Sequence, residues 1–193
     1  MGTGNNAANA QAAYNQQQQQ QIQNSVNQIN AAYSNPNRIN QYAQYGKNLS
    51  DYYTGQVNNQ EAINARNLKF ATARSGLTGG SAAVDSNTQL QKDYTQGLLQ
   101  ATQAATTGVN ALQQADINSK NQLIGQAEAG ATTGTFPTQI AQSMSANLGA
   151  AQNYANPNAL GNLFAGTASI YNQEQTAAAL RKSQTSPFGS YYG

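Results

Sequence analysis

Apolar residues recur along this chain at intervals of three, four and seven, with no run of strict alternation, so the pattern predicts helices and no sheet. Ile22, Val26, Ile29 and Tyr33 mark one face of a first helix within residues 7–33. Ser34-Asn-Pro-Asn37 ends it, because the residue before a proline is pushed out of the α region. A second stripe follows through Ile39, Tyr42, Leu49, Tyr53 and Val57. Gly46 weakens that helix and leaves room for a break between Gly46 and Ser50.

Residues 59–130 read as a helical hairpin. Its first arm carries the heptad spacing Ile63, Phe70 and Leu77, which with the return arm reads as a seam for packing against copies of the chain or a neighbour. Gly76, Gly79 and Gly80 then supply the backbone freedom that ends one helix and begins another, with Ser81 as the expected N-cap. The return arm shows the longer seam Leu90, Tyr94, Leu98, Ala101, Ala105, Val109, Leu112 and Leu123. A helix of about fifty residues rises about 75 Å, which argues for a bundle, a tube or a long hairpin within an assembly. Beyond the loop at 131–137, Ile140, Met144, Leu148, Ala151 and Ala155 form another stripe, and a last helix is expected over 159–182. The fold class expected is all-α: long extended helices forming a hairpin or bundle, oligomeric, with an irregular C-terminal tail. Its segments are a Gln/Asn-rich N-terminal helix or arm (1–36), the hairpin region (37–130), C-terminal helices (131–185) and the tail (186–193).

Composition narrows the function. Only 8% of the 193 residues are charged and the net charge is +2, against about a quarter charged in an ordinary globular chain. Neutral amides and hydroxyls must carry solubility, and with little self-repulsion association is the expected default. The chain has no histidine and no cysteine, which removes the commonest base, the thiol nucleophile, disulfides and the usual zinc ligands. Its seven acids, Asp51, Glu61, Asp85, Asp93, Asp116, Glu128 and Glu174, are scattered, so no enzyme, cofactor or metal site is expected. Asp116 and Lys120 read as a surface ion pair one helical turn apart. The glycine-rich corner lacks a P-loop lysine and a preceding strand. No membrane-spanning segment and no signal peptide are expected.

Arg66, Lys69 and Arg74 form the one basic cluster. They are candidate phosphate contacts, with a simple solvated face as the plainer use. As the lining of a DNA channel, sparse charge and many amides would let a polyanion slide. The eleven tyrosines suit wet protein interfaces better than base stacking, because so little positive charge accompanies them.

The segment Asn67-Leu-Lys-Phe-Ala-Thr-Ala-Arg-Ser-Gly-Leu-Thr-Gly-Gly-Ser-Ala-Ala-Val-Asp85, followed by Tyr94 and a Gln/Ala-rich helix, resembles small virion proteins of short-tailed bacteriophages, of the internal core or DNA-ejection type. The resemblance covers the central third to half of the chain. It implies a non-enzymatic, multi-copy helical component at the portal–tail axis that helps genomic DNA pass into the host cell. The partners it implies are further copies, portal or other virion proteins, genomic DNA through non-specific contacts, and the host envelope after ejection. Some such proteins carry a peptidoglycan-cleaving domain, and nothing here matches one. A static head-to-tail adaptor or tail component has the same helices, and differs in staying with the particle. A cellular Gln/Asn-rich interaction protein is the third reading, supported if residues 81–130 exchange their amide hydrogens without protection.

Overall fold

A computed structural model of the chain describes residues 3–76, 80–130 and 136–153. Four helices account for nearly all of them: α1 (Thr3–Tyr33), α2 (Pro36–Ser75), α3 (Ser81–Glu128) and α4 (Phe136–Asn153). No strand occurs among the described residues. The helix expected over 159–182, the tail, Ala155, Leu77 and Gly79 lie outside them.

The break between α1 and α2 follows from local chemistry. Asn35 caps α2 by accepting the Asn37 N–H on its Oδ1 at 2.9 Å, and Pro36 occupies the first helical position, where a missing N–H costs nothing. Gly76 closes α2 at φ +71°, the left-handed conformation glycine adopts without a Cβ penalty. Across the corner, the Val84 N–H donates to the Gly80 carbonyl at 3.3 Å. That bond makes Gly80, not Ser81, the N-cap of α3. Gly130 ends the following turn at φ +86°.

Burial on α3 repeats every eleven residues. Leu90, Ala101, Leu112 and Leu123 are buried, and so are Ala105, Asp116 and Ala127. On the same period fall the small residues Ser86, Gly97, Gly108 and Ser119, each buried or half-buried. An eleven-residue period is about 3.67 residues per turn, close enough to the α-helix that the stripe runs nearly along the axis. The seam expected on this helix lies on that stripe, with Tyr94, Leu98 and Val109 half-buried beside it.

The described residues divide into two compact units, residues 3–48 with 106–130 and 136–153, and residues 49–76 with 80–105. In the first unit, α3 runs antiparallel to the start of α2, and α4 runs parallel to α2. A core between α1, α3 and α4 joins Ile29, Tyr33, Leu123, Ala127, Phe136 and Ile140, with Val26, Ile124 and Met144 packed against it. Phe136, expected in a loop, opens α4 instead and is fully buried. Nor does α2 break after Gly46. A Cβ at that position would meet the Val109 Cγ2 at 2.9 Å, so the bare backbone permits a close helix approach, and the packing offsets the poor helix propensity of glycine.

In the second unit, α2 and α3 pair antiparallel. Leu49, Tyr53, Val57, Leu68 and Thr72 turn inward from α2, and Ala83, Ser86, Leu90, Asp93 and Ala101 from α3. The Tyr94 hydroxyl donates to Asn58 Oδ1 at 3.0 Å and ties the two helices near mid-length.

Candidate functional site

The first unit holds a buried polar cluster at the α1–α2 joint. Arg38 lies in the first turn of α2, and Tyr42 and Tyr45 follow on its inner face. Asp116 sits on the eleven-residue stripe of α3, where apolar neighbours bury it to 2% exposure; Arg38 is 3% exposed. Two guanidinium bonds join them, Nε to Oδ2 at 2.6 Å and Nη2 to Oδ1 at 2.7 Å. This bidentate geometry matches the planar fork to the carboxylate. Tyr42 donates its hydroxyl to Oδ2 at 2.5 Å, and Asn147 of α4 donates its amide to Oδ1 at 2.9 Å and to Ser119 Oγ at 2.9 Å. Arg38 also reaches Gln41 Oε1 at 2.7 Å and the Met144 carbonyl at 3.3 Å. The Tyr45 hydroxyl closes the far end on the Ala151 carbonyl at 2.7 Å.

These contacts correct two expectations. Asp116 pairs with Arg38, 78 positions away, and not with Lys120 at the surface. Ile39, expected on the inner stripe of α2, is exposed, and Arg38 takes the inner place. One residue of rotation, about 100°, separates the two, and the charge goes inward because an opposite charge waits there.

Burial alone would push the Asp116 carboxyl up. The bonds from Arg38, Tyr42 and Asn147, with the Arg38 charge, outweigh it and hold the group below the usual carboxylate range. Burial, the bond to Asp116 and the carboxylate charge push the Tyr42 hydroxyl up to about 12. Burial and the nearby carboxylate raise Tyr33 as well. Such a carboxylate is a poor base, since every lone pair faces a donor and its proton affinity is low. The arrangement holds α2, α3 and α4 together.

The second unit presents a different kind of site. Ile63 and Phe70 are 53% and 63% exposed, so the heptad pair on α2 faces away from α3. Ala73 beside them is exposed too. Val57, six residues before Ile63, and Leu68, five after it, occupy the inner face instead, about 120–140° around the helix from Ile63. Tyr52, Ile63, Arg66, Phe70 and Arg74 recur at spacings that place them on one stripe, with Lys69 beside it. All are exposed. On α3, Val84 and Leu99 are exposed in a row with Thr88, Thr95 and Thr102. These threonines donate their hydroxyls to carbonyls one turn back at 2.9, 2.9 and 3.0 Å, so their donors are already satisfied within the helix. Five of the eight large exposed hydrophobics of the described residues belong to this unit, which makes it the better candidate for contact with a partner.

Among the described residues no group of three acidic, histidine or cysteine side chains could hold a metal. No described helix is long and apolar enough to cross a membrane. No protein-family model matches the chain, and comparisons with curated proteins and with solved structures returned no match.

Proposed function

We propose that this chain is a non-enzymatic assembly protein, and that the outward stripe of α2 in the second unit is where it meets a partner. The observation that carries the reading is the exposure of Ile63 and Phe70, two large apolar side chains on one helical face among three cations. Aromatic and aliphatic groups ringed by arginine are the usual makings of a protein interface. The engaged Asp116 supports the absence of a reaction.

The resemblance of residues 67–85 to internal virion proteins supplies the setting. On this reading the chain is an internal or ejection component at the portal–tail axis of a short-tailed bacteriophage, present in several copies and helping genomic DNA into the host. Arg66, Lys69 and Arg74 then stand where DNA phosphates would pass, close enough to guide and too few to hold. Virions labelled on this protein test it. We expect the label to leave the particle with the DNA on infection; quantitative retention in the emptied particle would overturn ejection and leave a static adaptor.

A further inference from the structure

The N-terminal part of α1 is a helix without a visible reason to be one. From Asn6 to Gln21 every side chain is exposed, whereas α1 beyond Ile22 buries Ser25, Ile29 and Tyr33. Helices that are polar on all sides are marginal in water unless something covers them or many side-chain pairs brace them. Only two such pairs occur here, Gln11 Nε2 to Asn15 Oδ1 at 3.3 Å and Gln18 Nε2 to the Tyr14 hydroxyl at 2.9 Å, each worth about 0.2–0.5 kcal/mol.

The chemistry of the arm excludes most partners. The whole of α1 contains no Asp, Glu, Lys or Arg, so no cation would neutralise a nucleic-acid phosphate or an anionic membrane surface. Tyr14 is the one large apolar residue between Asn6 and Gln21, so no apolar ridge exists to fill a partner's groove. What remains is an unbroken amide surface through the six glutamines of residues 16–21. Each amide both donates and accepts, which makes a surface of amides complementary to itself, and a charge-free helix meets its own copy without repulsion. The buried stripe of α1 also continues into the arm. Stepping back eleven residues from Tyr33, Ile29 and Ser25 reaches Ile22, Gln18 and Tyr14, and from Ile22 reaches Gln11.

We infer that residues 6–21 are a homotypic pairing arm, which docks on the same arm of a second copy through the face of Gln11, Tyr14 and Gln18. This rests on the assembly reading above and names an element that reading does not need. The test adds like charges to the arm of the full-length chain as Gln11→Lys/Gln18→Lys. Lysine forms helix as readily as glutamine, and the arm buries nothing in its own fold, so the bundle stays folded; unchanged thermal unfolding verifies this. Sedimentation velocity across a concentration series would compare this variant with the native chain and with Ile63→Glu/Phe70→Glu. We expect the native chain to associate, its helicity to fall on dilution, and the arm variant to associate about tenfold or more weakly. If the arm variant associates as the native chain does while Ile63→Glu/Phe70→Glu does not, arm pairing is overturned and the assembly reading stands. A native chain that stays monomeric throughout overturns both.

Discussion

The two units put their chemistry in opposite places. The first turns it inward: Arg38, Tyr42, Asp116 and Asn147 meet in one buried cluster, and α4 is held by side chains that bond to its backbone. The second is tied across by the Tyr94–Asn58 bond at 3.0 Å and leaves Tyr52, Ile63, Phe70, Val84 and Leu99 exposed. A buried ion pair contributes little net stability, because desolvation consumes most of its Coulomb energy, yet it penalises every arrangement that leaves one partner alone. The first unit therefore gains a single register for its helices. The second has apolar area left over, and that area is where a partner gains most by binding.

The contrast can be broken at the cluster. Arg38→Ala strands the Asp116 carboxylate in the interior, and we expect a loss of about 3–5 kcal/mol in denaturant unfolding. Replacing both, as Arg38→Met/Asp116→Leu, removes the stranded charge but leaves the Tyr42 hydroxyl and the Asn147 amide without this acceptor, so a smaller loss than in Arg38→Ala is expected. A large loss in the double variant as well would make the pair a net source of stability.

The second unit is sharpened by two neighbours on α2. Leu68 is buried and Phe70 exposed, and it is Phe70 that lies on the heptad seam. Leu68→Ala is expected to cost about 2–5 kcal/mol, and Phe70→Ala in the unassociated chain no more than about 0.5 kcal/mol. Equal losses would put the heptad face inside after all.

Glycines carry a smaller version of the same comparison. At Gly55 in the second unit nothing lies within 4 Å of an added Cβ, so Gly55→Ala should stabilise by about 0.5–1 kcal/mol through helix propensity. At Gly46 the added methyl meets Val109 at 2.9 Å, and overpacking of about 1–3 kcal/mol opposes the same gain. Gly46→Ala is therefore expected to destabilise, and to become stabilising in a Val109→Ala background.

Acid and base should separate the units more gently. Asp116 has its folded value below the ordinary 3.8, so its contribution is complete above that pH and is lost as pH falls through the folded value. Tyr42, raised from 10.0 to about 12, contributes fully below pH 10 and loses that contribution as pH rises toward 12. Melting temperatures across both windows, read in the native chain and in Asp116→Asn and Tyr42→Phe, should show each variant lacking its own limb.

Much of the architecture was legible in the pattern. The asparagine–proline stop after Tyr33, the glycine corner at Gly76 and the seam from Leu90 to Leu123 rest on local chemistry and on apolar period, both visible in one chain. The cluster was harder to see. Its partners lie 78 positions apart, and a charge is by default read as surface. A signal was present in Asp116 itself, four residues after Leu112 and seven before Leu123, which puts a carboxylate on an apolar stripe and asks for a cation opposite. The heptad through Ile63 and Phe70 was legible as a shared face, and the structure turns that face outward. Seven-residue spacing shows that residues share a face and does not show which way the face points.

Association of the full-length chain is the most direct measure of a face kept for a partner. Sedimentation velocity on the native chain and on Ile63→Glu/Phe70→Glu, with helicity verified by circular dichroism, should give a self-associating native protein and a variant about tenfold weaker at equal helicity. Identical association of the two, or a native chain that is monomeric at every concentration, would contradict it.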